Sequence, residues 1–243
     1  MHKEQIDLDE SHIRLITDLE KNNLKNYIKK IRYDLKQYIT KNQDFLISLE
    51  PLKMPDENLP LIVKKMYESS NIADVGPMAA VAGSISEMSL NYLIKNNSTY
   101  SIVENGGDIA IINDKPVICG IYSNNELLGN KIAFKLKSRK KALGLCTSSG
   151  KIGHSISFGQ SDSLTVISNS SSISDALATR IANDVNGNNG ENKISKALET
   201  CENYCKVLPD ISVTTVEAVL GSMVKKGLIR RIGAGRASKY IRT

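Results

Sequence analysis

A carboxylate and a hydroxyl one helical turn apart could together hold a metal ion. Asp175 and Thr179 are four residues apart in a segment that predicts a helix over 174–181, so their side chains share one face of that helix. Such a pair of hard oxygen donors suits Mg²⁺, which keeps several waters and bridges to substrate phosphates. The structural alternative is an Asp that interacts with its own helix dipole and a Thr bonded within its own turn.

A glycine pair lies between two predicted strands, in the segment Glu104-Asn-Gly-Gly-Asp108. Gly106 and Gly107 permit positive φ and carry no β-carbon, so a planar or phosphorylated ligand can approach the backbone there. A plain hairpin turn would show the same pattern.

A run of hydroxyl residues follows another predicted strand. Cys146 is followed by Thr147, Ser148, Ser149 and Gly150, and their O–H and N–H groups suit a phosphate or the edge of a flavin. A polar loop is the alternative. His154 comes shortly after this run, and a lone histidine is equally consistent with a structural role.

The elements around these segments predict an α+β fold. Apolar residues three and four apart predict helices over 24–39, 61–70, 76–95 and 193–205. Short apolar runs predict strands at 13–19, 100–104, 109–112, 116–122, 132–136, 143–147 and 163–168. Strands and helices do not alternate regularly, which argues against a doubly wound sheet.

Composition limits the class of protein. The chain has 243 residues, of which 41% are hydrophobic and 24% charged, in the range of soluble globular proteins. No apolar stretch approaches the roughly 18 residues that span a bilayer, so we expect no membrane-embedded part. The N-terminus has early charges and no apolar signal segment. With four cysteines that we expect to be reduced thiols, the sequence predicts a cytoplasmic protein.

The positive charge is concentrated at the C-terminal end. Residues 211–243 contain seven Lys and Arg residues and one acid, a net charge of +6, which equals that of the whole chain. Residues 1–210 are therefore neutral, and this contrast predicts two parts with different partners. We place the boundary between a body at 1–207 and a basic segment at 208–243.

The basic segment resembles part of a winged helix-turn-helix. It predicts a helix that ends at Gly227, followed by strands at 228–232 and 239–241 around a glycine turn. In that arrangement DNA phosphates would be met by Lys225, Arg230, Arg231, Arg236 and Lys239. The alternative is a basic element that docks on the body or on a second copy in a homodimer.

Four of these segments, taken in order, resemble the ApbE superfamily. They are Gly76–Gly83, Glu104–Asp108, Thr147–Gly150 with His154, and Asp175–Thr179. The similarity is closest to the uncharacterised archaeal and bacterial branch of that superfamily, and it covers roughly residues 13–205. It implies an ApbE-like, T-fold-related body with the winged-helix-like segment as a small appendage.

The resemblance also implies a reaction. Characterised members are FAD-dependent transferases that use Mg²⁺ to attach FMN to a Ser or Thr of an acceptor protein, releasing AMP. It assigns Asp175 and Thr179 as metal ligands, and Asp175 and His154 as catalytic. The flavin nucleotide would be bound by Gly106, Gly107, Asp108, Thr147, Ser148, Ser149 and Gly150.

One segment departs from the characterised transferases. They carry an acidic, Lys-containing glycine motif where this chain has Gly76–Gly83 without an acid or a lysine. The alternative function is therefore a flavin- or nucleotide-sensing module with a DNA-binding tail and no catalysis.

Overall fold

Six antiparallel strands form the central sheet of the protein. A computed structural model describes residues 1–120, 133–148, 163–185, 190–207, 229–232 and 239–242. In spatial order the strands are β1 (His2–Leu8), β2 (Ser11–Thr17), β3 (Ser101–Asn105), β4 (Asp108–Asn113), β7 (Arg139–Ser148) and β8 (Leu164–Ser168). The side chains of β2 alternate, with Ile13 and Leu15 buried and Arg14 exposed, as expected where one face of a sheet meets the core.

Helices cover one face of this sheet. They are α1 (Leu24–Lys41), α2 (Gln43–Ile47), α3 (Leu61–Ala73), α4 (Val81–Lys95), α5 (Ser171–Asp184) and α6 (Gly190–Val207), with a short 3₁₀ helix at Pro77–Ala80 before α4. α4 and α5 pack directly on the strands and against each other, and α3 packs against both. The main core lies between these layers and includes Met66, Leu90, Val103 and Leu177.

A second, smaller core lies on the other face of the sheet. There β5 (Val117–Gly120) and β6 (Ala133–Leu136) form an antiparallel pair. Val117 and Cys119 of this pair pack with Ile111, Leu143 and Leu145 of the central sheet. β4 and β7 are therefore covered on both faces, which accounts for the uninterrupted apolar runs at 109–112 in β4 and 142–146 in β7.

The predicted α+β class is confirmed, with differences in detail. β1 was not predicted, because among its residues only Ile6 is fully buried and the strand lies at the edge of the sheet. The predicted helix over 76–95 begins instead as the 3₁₀ helix, whose first residue is Pro77. Among the described residues, no helix has both the length and the apolar character needed to cross a membrane.

The two strands predicted in the basic segment are present. β9 (Ile229–Ile232) and β10 (Lys239–Arg242) pair antiparallel, and they carry Arg230, Arg231 and Lys239. Lys225 and Arg236 lie outside the described residues, as does the predicted helix that ends at Gly227. The winged helix, the boundary after residue 207 and the contact with DNA stay predictions.

Candidate functional site

The glycine pair forms the hairpin turn between β3 and β4. Gly106 has φ 65° and Gly107 has φ 105°, conformations that favour glycine. The Gly107 N–H donates to the Glu104 carboxylate at 3.1 Å. The turn places Asp108 at the first position of β4, opposite Asn105. The predicted hairpin turn is present, and the approach of a ligand to its backbone stays a prediction.

Asp108 connects this turn to the end of β7. Its carboxylate lies beside the Cys146 thiol and the Thr147 backbone N–H, both of which favour its ionised form, while the thiol donates to the Ser171 carbonyl at 3.3 Å. The Thr147 hydroxyl bonds in turn to the Thr165 hydroxyl on β8, at 2.9 Å. The glycine turn and the hydroxyl run, 40 residues apart in sequence, therefore lie side by side.

Asp175 reaches the same place from α5. Its Oδ2 accepts from the Gly83 N–H at 2.8 Å, and the Ala82 N–H also lies close enough to favour its ionised form. Both amides belong to the first turn of α4, where backbone N–H groups have no partner within their own helix. Asp175 therefore caps the neighbouring helix α4, rather than interacting with its own helix dipole as the alternative interpretation had it.

Gly83 allows α4 and α5 to come this close. A β-carbon on Gly83 would lie 2.3 Å from the Ser171 carbonyl oxygen and 2.6 Å from the Asp175 Cβ. No other residue fits between these helices without moving them. The small residues of the 76–83 segment thus bring the start of α4 against the carboxylate of Asp175.

Burial and charge repulsion disfavour the ionised forms of both carboxylates. Burial, with added repulsion from Glu104, raises the pKa of Asp108 to about 7. Burial and then repulsion from Asp108 raise the pKa of Asp175 well above its ordinary value. Burial and the charge of Asp108 also raise the pKa of the Cys146 thiol, so this thiol is neutral. A cation between the carboxylates would offset this repulsion.

Two polar residues that the sequence analysis did not single out bind the turn to α4. The Ser86 hydroxyl donates to the Asp108 carbonyl at 2.9 Å, and the Asn105 side-chain amide donates to the Ala82 carbonyl at 3.4 Å. Ser86 follows Gly83 by three residues, so helical spacing places both on one face of α4. That spacing is the signal by which Ser86 could have been found.

The structure brings together most of the predicted site residues that it describes. Gly106, Gly107, Asp108, Thr147 and Asp175 meet at the glycine turn through the contacts above. Thr179 is buried one turn after Asp175 on α5, and Ser148 is half-buried at the end of β7. The remaining three, Ser149, Gly150 and His154, lie outside the described residues.

The donors of this site are suited to a hard cation with few protein ligands. In the described part of the chain, no three or more His, Cys, Asp and Glu side chains are arranged to hold a metal. Mg²⁺ is often held by only one or two carboxylates, with waters and substrate phosphates completing its shell. Asp108 and Asp175 are two neighbouring carboxylates of this kind; the assignment of Asp175 and Thr179 as metal ligands stays a prediction.

Comparison with known proteins places the chain in a family. A family model described as AbpE bacteria matches residues 1–232. The chain belongs to this family. A "UPF0280 protein" of Methanobrevibacter smithii is 57% identical over 225 residues, covering 93% of this chain and 94% of the relative. Its counterpart in Methanothermobacter thermautotrophicus is 43% identical over 201 residues, covering 83% and 77%.

Solved structures of two transferases share the fold of this AbpE bacteria family member. The flavin transferase ApbE of Vibrio cholerae matches with a TM-score of 0.57 at 10% identity, covering 100% of this chain and 97% of that one. The flavinyl transferase ApbE of Pseudomonas stutzeri matches with a TM-score of 0.54 at 12% identity, covering 100% and 94%. The predicted resemblance to the ApbE superfamily and the ApbE-like body are confirmed.

Proposed function

We propose that this protein binds FAD and Mg²⁺ and transfers FMN to a Ser or Thr hydroxyl of an acceptor protein, with release of AMP. The observation that carries the proposal is the position of Asp175, beside Gly83 and Asp108 at the glycine turn. The family and the fold shared with two flavin transferases support the same reaction class.

The described residues suggest where the nucleotide binds. Gly106 and Gly107 present backbone without β-carbons, so the flavin nucleotide can approach the sheet edge closely. The hydroxyls and backbone N–H groups of the run from Thr147 to Gly150 would donate to it. His154 is proposed to lie near the bound nucleotide.

The reaction exchanges the phosphoanhydride link of FAD for a phosphoester link to the acceptor. The hydroxyl oxygen of the acceptor Ser or Thr forms a bond to the phosphorus of the FMN half. The bond from that phosphorus to the bridging oxygen breaks, and AMP leaves with this oxygen while the hydroxyl proton is lost. Mg²⁺ held by Asp175 and Thr179 would offset the charge that develops on the phosphates.

Release of AMP from FAD tests the proposal. The variant Asp175→Asn retains an oxygen that accepts from Gly83 but removes the charge, so we expect Mg²⁺-dependent AMP release to fall by about 100-fold or more. Asp184→Asn, at the other end of α5, is the matched control and should keep this activity. Circular dichroism checks that each variant is folded.

Two outcomes would count against the reaction. Unchanged AMP release by Asp175→Asn would remove Asp175 from the mechanism. A parent protein that binds FAD but releases no AMP in the presence of Mg²⁺ and candidate acceptors would favour the alternative, a nucleotide-sensing module without catalysis.

A further inference from the structure

A second carboxylate caps the first turn of α5. Glu87 lies on α4, one turn after Gly83, and its Oε2 accepts from the Ser170 hydroxyl at 2.6 Å. The same oxygen accepts from the Ser172 N–H and the Ser172 hydroxyl, both at 3.0 Å. The Ser170 hydroxyl in turn accepts from the Ile173 N–H at 3.3 Å. Glu87 and Ser170 together therefore satisfy the first amides of α5, which have no partner within that helix.

Each of the two helices is capped by a carboxylate of the other helix. Asp175 of α5 binds the first turn of α4, and Glu87 of α4 binds the first turn of α5. Each carboxylate also lies at the positive end of the other helix dipole. Because each helix carries the cap of the other, a shift of α5 along α4 would break both sets of hydrogen bonds.

Lys65 of α3 forms an ion pair with Glu87. Its ammonium group pairs with the other carboxylate oxygen of Glu87. The Glu87 side chain is only 13% exposed and that of Lys65 22%. Burial raises the pKa of Glu87, but the charge of Lys65 and the hydrogen bonds from Lys65, Ser170 and Ser172 outweigh burial and lower it overall. Glu87 is therefore ionised at neutral pH.

We infer that Glu87 is a positioning residue, which with Lys65 fixes the first turn of α5 and thereby directs Asp175 into the site. The expected effect on catalysis rests on the proposed function. The expected effect on the Asp175–Gly83 hydrogen bond does not, since it follows from the contacts alone.

The test uses the full chain with Glu87→Gln, and measures the exchange of the Gly83 amide hydrogen by NMR. We expect exchange to be about 10-fold faster than in the parent protein, because the Asp175–Gly83 bond opens more often. In the AMP-release assay, kcat should fall about 10- to 100-fold while KM for FAD changes little, as for other groups that orient a ligand.

Further variants separate positioning from general loosening. Lys65→Met should reproduce both effects more weakly. Lys65→Arg should behave like the parent protein in both measurements, because the ion pair is kept. Asp184→Asn removes a carboxylate that binds Arg180, Lys196 and Thr200 at the far end of α5, so it should leave Gly83 exchange unchanged. If Glu87→Gln does not fold, the two Lys65 variants provide the same comparison.

The outcomes distinguish this inference from the proposed function. Unchanged Gly83 exchange in Glu87→Gln and Lys65→Met would overturn the positioning role whatever the activity. Equal acceleration by Asp184→Asn would also overturn it, because α5 would then be loosening as a whole. Faster exchange in a protein that releases no AMP would support the positioning of Asp175 and contradict only the transferase reaction.

Discussion

Replacement of Gly83 with alanine tests the close packing on which the candidate site depends. The added β-carbon would lie 2.3 Å from the Ser171 carbonyl oxygen, and real β-carbons keep at least 3.0 Å from such atoms. α5 must therefore move away from α4 by about 0.7 Å or more, because the obstacle is backbone that cannot rotate aside. That movement lengthens the hydrogen bond from the Gly83 N–H to Asp175.

The magnitude follows from two opposing terms. Overpacking against backbone costs about 3 kcal/mol, and the better helix propensity of alanine returns about 1 kcal/mol. The net loss of about 2 kcal/mol should lower the melting temperature by about 4–8 °C in a chain of this size. A displacement of nearly 1 Å at the site should reduce Mg²⁺-dependent AMP release by about 100-fold.

The assay compares Gly83→Ala with Gly120→Ala, by thermal unfolding and AMP release. Among the residues that the structure describes, no heavy atom lies within 4 Å of a β-carbon on Gly120, so that control should match the parent protein in both measurements. If Gly83→Ala melts at the parent temperature and keeps its activity, α4 and α5 can accommodate a β-carbon without moving, and the close packing at Gly83 is not what the site depends on.

The remaining predictions concern pH and charge at the acid pair. The pKa of Asp108 in the folded protein is about 7, against an ordinary value of 3.8. Without metal, the loss of folding stability caused by ionising Asp108 therefore grows as the pH rises from about 4 through 7. Mg²⁺ should therefore raise the melting temperature more at pH 8 than at pH 6, and an equal effect at both would contradict the acid pair as its site. The variant Asp108→Asn removes the repulsion with Asp175. It should have a higher melting temperature than the parent protein at pH 8 without metal, and Mg²⁺ should raise that temperature by less. A lower melting temperature would argue against the repulsion.

The elements that carry the site could be predicted because their patterns are local. The apolar runs at 100–104 and 109–112 and the helical spacing around 174–181 each fall within one element. The start of α5 was predicted less accurately, because Ser170 and Ser172 read as loop residues until Glu87 supplies their partner. β1 was missed since a polar edge strand has almost no apolar signal.

The contacts that build the site could not be read from local patterns. Asp175 and Gly83 are 92 residues apart, and only the ordered resemblance to a family suggested that their segments meet. Glu87 was overlooked, although it is the one charged residue between Val75 and Ile94. A lone charge in an otherwise uncharged stretch of 18 residues (76–93) implies a buried partner, but the sequence does not say that Lys65 and the start of α5 provide it.

A crystal structure of the protein with FAD and Mn²⁺ would show whether Asp175 holds a metal beside a flavin nucleotide at the glycine turn. Mn²⁺ can replace Mg²⁺ at oxygen ligands and gives an anomalous signal. We expect an anomalous peak within bonding distance of the Asp175 carboxylate, with the flavin nucleotide lying against the backbone of Gly106 and Gly107. A nucleotide bound elsewhere, with no metal at Asp175, would contradict it.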